Sequence, residues 1–120
     1  NSKIIILHCV SIYPTPYKDL NLRNITMLQN TFRYPVGFSD HSLGYVAPLT
    51  SVALGACVIE KHFTTDRDLP GWDHETSANP EDMKKIVEYS KSVYDLLGDL
   101  KRIVSEEEEE KKKYLEEVLF

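Results

Sequence analysis

Tyr34-Pro35-Val36-Gly37-Phe38-Ser39-Asp40-His41-Ser42 decides the fold: a short apolar run breaks into a polar cluster, and beyond Gly44 a helical stretch from Val46 to Leu54 closes at Gly55. The same strand-then-helix order flanks this unit on both sides. Upstream, Lys3 to Val10 is an apolar, β-branched run too short for a helix, and it stops at Tyr13-Pro14-Thr15-Pro16, where two prolines forbid regular structure. Asp19 to Phe32 follows, with Leu22, Ile25, Leu28 and Phe32 at helical spacing and Asp19 placed as N-cap. Downstream, Ala56 to Phe63 reads as a third strand leading into a polar loop with Pro70-Gly71. Asn79-Pro80 then starts a helix, a capping side chain followed by proline at the first helical position. Its apolar stripe is Met83, Ile86, Val87, Ser90, Val93, Tyr94 and Leu97, and Gly98 stops it.

Three consecutive strand-helix units imply α/β architecture with parallel strands, because a parallel pair needs a crossover rather than a tight hairpin. The strands are continuous apolar runs, as expected when both sheet faces are covered. Three parallel strands are too few for a barrel, so the sheet is expected to be small and open, or completed by five strands outside this sequence. After Gly98 the composition shifts to Glu106–Glu110 and Lys111–Lys113. On a helix, Glu107 meets Lys111, Glu108 meets Lys112 and Glu109 meets Lys113, each pair contributing about 0.2–0.5 kcal/mol. The expected organisation is a strand-helix domain over 1–98 and a charged helical tail or linker over 99–120, its end packed through Leu115, Val118 and Leu119.

The 120 residues suit one folding unit, and 42% hydrophobic with 28% charged residues places the chain among soluble globular proteins. A net charge of -5 argues against nucleic acid as a partner, and no apolar stretch approaches the roughly 18 residues needed to span a bilayer. Cys9 and Cys57 each lie within an apolar run, which suits buried thiols in a reducing compartment and makes the cytoplasm the expected location. Asn1-Ser2-Lys3, followed at once by Ile-Ile-Ile-Leu, has neither an initiator Met nor the layout of a signal peptide, as for a segment of a longer protein.

In parallel α/β folds reactive groups collect at the carboxyl ends of the strands. His8, Ser39-Asp40-His41 and Glu60-Lys61-His62 fall there, with Asp73-His74 next, so all four histidines are expected at one edge. His8 taken singly reads as a structural residue. Neighbouring parallel strands would bring His41 and His62 to one rim, where two neutral imidazoles and the Asp73 carboxylate could hold a divalent cation with positions open for substrate. Ordinary strand-end histidines stay equally open, since no compact ligand motif sharpens the choice. Alternation places Ser39 with His41, and Glu60 with His62, on one face. Asp40 is then expected behind them, orienting an imidazole or capping the next helix. Lys61 and Arg67 could neutralise an anionic substrate or serve as surface charges.

His8-Cys9-Val10-Ser11-Ile12-Tyr13-Pro14-Thr15-Pro16, Gly37-Phe38-Ser39-Asp40-His41-Ser42, Leu54-Gly55-Ala56-Cys57-Val58-Ile59-Glu60-Lys61-His62-Phe63-Thr64 and Gly71-Trp72-Asp73-His74-Glu75-Thr76-Ser77 together resemble the ordered motif series of the sialic acid synthases. That family includes N-acetylneuraminate synthase and its relatives for legionaminic acid, pseudaminic acid and spore-coat polysaccharides. The resemblance runs from about Ile4 to Leu97 and implies the last three strand-helix units of a TIM (β/α)8 barrel. It also implies condensation of phosphoenolpyruvate with N-acetylmannosamine or a related amino sugar, giving a nine-carbon 2-keto acid and phosphate.

Carried over by residue, His41 and His62 match the histidines that hold a divalent metal, usually Mn2+, which polarises the sugar's aldehyde oxygen. Tyr13 and Ser39 match residues lining the phosphoenolpyruvate site, and Asp73 an acidic residue that contacts the sugar; Tyr13 and Asp73 are the expected catalytic pair. Ser11 stands where many members carry Asn, and Trp72 where Pro is common, which points to a different sugar. The family's phosphate-binding lysines come from earlier strands, and its C-terminal antifreeze-like domain has no counterpart after Gly98. A broken barrel exposes sheet edges and apolar interior, so homo-oligomerisation or assembly with an N-terminal portion is expected, and the segment by itself is expected to be inactive. The rival from another class is a truncated, non-catalytic interaction module whose charged helix binds a partner. A weaker rival is a small open-sheet metal-dependent lyase or aldolase.

Overall fold

A computed structural model describes residues 3–119; the expected domain limits at Asn1 and Phe120 lie outside the described residues. In chain order the elements are β1 (Ile6–Cys9), α1 (Tyr17–Leu20), α2 (Asn24–Phe32), β2 (Val36–Asp40), α3 (Val46–Ala53), β3 (Ile59–Lys61), α4 (Pro80–Leu97) and α5 (Glu106–Leu119). The strands form one parallel sheet in the order β1-β2-β3. Ile6 pairs with Val36 and Cys9 with Ser39 on one side of β2, while Phe38 pairs with Ile59 and Asp40 with Lys61 on the other.

Every strand is shorter than its apolar run. Lys3 to Ile5 precede β1, β2 starts at Val36 rather than Tyr34, and β3 keeps only three residues of the Ala56–Phe63 run. A parallel ladder extends only as far as its neighbour, so β2, with partners on both sides, is the fully buried strand. The expected helix from Asp19 splits in two because Asn21 takes a left-handed conformation (φ 43°), a state Asn adopts at low cost. Asp19 therefore lies inside α1 rather than capping α2, whose N-cap is Arg23.

The core forms where α2 and α3 lie on one sheet face: Leu20, Ile25, Val36, Phe38 and Ala47 are buried together, with Ile6, Leu22, Leu28, Leu54 and Ala56 packed around them. The opposite face is uncovered among the described residues. Leu7, Gly37 and Val58 meet on it, and Cys9, Val58 and Glu60 are exposed there. The expected two-sided burial thus holds for one side only. Cys9 and Cys57 are free thiols and exposed, not buried: Cys9 faces the uncovered side, and Cys57 precedes β3 at the open edge of the sheet. Gly37 has no room for a side chain, since a Cβ would lie 2.7 Å from the Val58 carbonyl oxygen.

Asn79 caps α4 as its position implied, accepting from the Asp82 N–H at 2.9 Å in a reciprocal capping box, and Gly98 ends the helix at φ 57°. Of the apolar stripe only Ile86 is buried; Val87, Tyr94 and Leu97 are exposed. The tail helix α5 has no buried residue, so the expected packing of Leu115, Val118 and Leu119 is absent among the described residues. Its ion pairs are not the expected three. Lys112 approaches Glu116, while Glu108 is taken by Arg102 at 2.9 Å and by the Ser105 N–H, an arrangement that caps the helix start. No described helix is long and apolar enough to cross a membrane.

A paired-histidine candidate active site

β2 ends at Asp40 and β3 at Lys61, so His41 and His62 are the first residues beyond the last paired rung. Loop amides hold both backbones: Thr15 N–H donates to the His41 carbonyl at 2.9 Å, and Ala78 N–H to the His62 carbonyl at 2.8 Å. His41 Nδ1 lies 2.8 Å from the Val10 carbonyl, which places its proton on Nδ1 and leaves the Nε2 lone pair free. The Tyr13 hydroxyl is 2.6 Å from His41 Nε2 and 3.1 Å from His62 Nε2, and the two imidazole centroids are 5.5 Å apart. Two ring nitrogens therefore aim at one point, now held by a phenol oxygen. The donor chemistry and convergence fit a divalent cation.

Asp73 does not share that point. Its Oδ2 lies 3.6 Å from His62 Nδ1, on the far side of the ring, where it can orient the imidazole. Among the described residues no three His, Cys, Asp or Glu side chains gather as a metal-holding group, so the expected set of His41, His62 and Asp73 is not assembled as three ligands. Ser39 donates to Glu60 Oε1 at 2.7 Å and lies 3.5 Å from His41 Nε2. Glu60 is the carboxylate that sequence reasoning left without a role. The signal was present, because alternation had already put it on the His62 face. Beside His62, a cleft of about 320 Å3 is lined by Trp72, Asp73 and His74 among others, and Trp72 is fully exposed.

Other expectations are corrected. His8 lies on the helix side of the sheet, 2.7 Å from the Leu20 carbonyl and stacked on Phe38, so the four histidines do not share one edge. His74 is held by Thr64. Asp40 touches no imidazole and caps no helix. It bonds Ser42 N–H and Oγ and pairs with a buried Lys61, which is thus neither a surface charge nor free for an anionic substrate. Arg67 is likewise engaged, by Asp82 and the Ser77 carbonyl.

Desolvation, reinforced by the charges of Asp73, Cys9 and Glu60, raises the Tyr13 phenol above its ordinary value of about 10. The phenol therefore stays protonated through neutral pH and can donate to His41. The unfolded phenol ionises first, so this stabilisation is complete below about pH 10 and is lost as pH rises through the folded value. The difference between alkaline absorbance titrations of the wild type and Tyr13→Phe should show a midpoint above 10; one at or below 10 would remove the desolvation argument.

The NeuB family profile matches residues 1–102. The chain belongs to the NeuB family. An uncharacterized protein of Methanocaldococcus jannaschii is 54% identical over 100 residues, covering 83% of this chain and 30% of that protein. The N,N'-diacetyllegionaminic acid synthase of Legionella pneumophila is 46% identical over 105 residues, covering 88% of this chain and 30% of the synthase. Among solved structures, the N-acetylneuraminic acid synthetase of Leptospira borgpetersenii, in complex with citrate, superposes with a TM-score of 0.82 at 43% identity, over 93% of this chain and 39% of that one. This NeuB chain thus spans about 30% of the length of these curated relatives, and the relatives named as synthases include enzymes for legionaminic and pseudaminic acid.

Proposed function

We propose that the chain supplies the C-terminal strand-helix units of a (β/α)8 barrel in an enzyme condensing phosphoenolpyruvate with N-acetylmannosamine or a related N-acetylated amino sugar. The products are a nine-carbon 2-keto sugar acid and phosphate. The observation that carries this reading is the convergence of His41 Nε2 and His62 Nε2 on one oxygen position at the carboxyl ends of adjacent parallel strands. The uncovered sheet face supports the barrel context, since a closed barrel would bury Leu7, Cys9 and Val58.

In this reading His41 and His62 hold a divalent cation, taken as Mn2+, which when bound makes the sugar aldehyde carbon more electrophilic. The chain's own residues do the rest. The Val10 carbonyl and Asp73 fix the two rings so that Nε2 faces inward, and Ser39 and Tyr13 offer hydroxyls to carboxylate or phosphate oxygens. Glu60 accepts from the Ser39 hydroxyl and so fixes it beside His41, and the Trp72–Asp73 cleft receives the sugar. Domain limits at 98 and 99, a cytoplasmic setting, and assembly with an N-terminal portion or a second copy belong to the same proposal.

The test is a chimera in which residues 3–97 replace the matching segment of the Legionella synthase. Phosphate should be released from phosphoenolpyruvate when an N-acetylated amino sugar and Mn2+ are present. A folded chimera that releases none with any such sugar would overturn the reading.

A further inference from the structure

We propose that the buried Asp40–Lys61 pair is a positioning device that sets the spacing of His41 and His62 from the opposite side of the sheet. The inference rests on the reading of those histidines as a cation-holding pair. Side-chain exposure is 3% for Lys61 and 0% for Asp40, and the ammonium lies 2.7 Å from Asp40 Oδ2. Lys61 also donates to the Ser42 carbonyl, while Asp40 Oδ1 accepts from Ser42 N–H at 2.8 Å and Ser42 Oγ at 2.7 Å.

Lys61 therefore grips β2 through the residues immediately before and after His41, and it is itself the residue before His62. Asp40 and Lys61 form the last paired rung of β2 and β3, beyond which both chains leave the sheet. Alternation sends this pair to the helix side and the imidazoles to the other. The coupling then runs through the backbone, with no contact between the ion pair and either ring. An apolar pair at this rung would match or exceed the ion pair in stability, because two charges are costly to desolvate. What the ion pair adds is direction: a cross-strand contact made of hydrogen bonds with fixed lengths and angles, where apolar packing would let the strand ends slide.

The double variant Asp40→Asn/Lys61→Met keeps a carbonyl oxygen for Ser42, removes both charges and cuts the cross-strand link. Thermal melting checks that it folds. Two measurements follow on the chain, proton cross-relaxation between the Tyr13, His41 and His62 rings and calorimetric titration with MnCl2. The expected result is loss of the His41–His62 ring contact and Mn2+ binding weakened by about 10–100-fold, the range typical of removing a partner that orients a ligand. Wild-type ring contacts in the folded double variant would overturn the proposal. If the wild type binds no Mn2+, the cation reading fails and the ring contacts alone decide the positioning role. Should the double variant not fold, Lys61→Arg preserves the charge but lengthens the link. Displaced ring contacts in that variant would support positioning, and unchanged ones would end it.

Discussion

His62→Ala is expected to abolish Mn2+ binding, weakening it by more than about 100-fold. Removing an outer partner of a metal-bound histidine already costs roughly 10–100-fold, and here one of two converging nitrogens would be lost outright. On the proposed reading His41 and His62 would hold the cation through these two Nε2 atoms, both of which lie within hydrogen-bond reach of the Tyr13 oxygen. The His62 side chain is 39% exposed, so truncating it leaves the buried cluster around Phe38 intact and folding should be little changed. Calorimetric titration with MnCl2, paired with thermal melting, separates the two effects. Equal affinity in wild type and a folded His62→Ala variant would remove His62 from the cation site, whereas indifference of both proteins to Mn2+ would favour the interaction-module reading.

Phe38→Ala is expected to cost about 3–5 kcal/mol, the range for deleting a buried aromatic ring. Among the described residues Phe38 is fully buried in a cluster with four other buried residues: Leu20, Ile25, Val36 and Ala47. Total stability of a domain is about 5–15 kcal/mol, so one such cavity removes a large share of it. The same ring stacks on His8 and sits one residue before Ser39, so its loss should also loosen the strand end that carries His41. Urea denaturation followed by circular dichroism measures the change. A loss below about 1 kcal/mol would mean that the sheet and helices are held by something other than this cluster.

Much of the fold was legible because its signals are local. Gly55, and Asn79-Pro80 with Gly98, each act through their own backbone and ended or started a helix where expected, whereas β1 stops at Cys9, short of Pro14, and α1 starts at Tyr17 rather than Asp19. Alternation along Ser39-Asp40-His41 and Glu60-Lys61-His62 correctly sorted the imidazoles from the Asp40–Lys61 pair. The split at Asn21 was not legible, because nothing in an amphipathic pattern says that one residue will turn left-handed. Nor could apolar runs reveal that Cys9 would face an uncovered side, since an apolar residue looks the same whether its cover is present or not.

By itself the sequence determined the parallel α/β order, the histidine-bearing strand ends and membership of a synthase family, because periodicity, turn chemistry and ordered motifs survive without coordinates. Only the tertiary structure decided that both Nε2 atoms meet at Tyr13, that Asp73 stands behind His62, and that Lys61 is buried against Asp40. Those facts depend on strand register and on loops folding back over the sheet. Residues 49 positions apart, as Tyr13 and His62 are, carry no mark of each other until the backbone has brought them within a hydrogen bond.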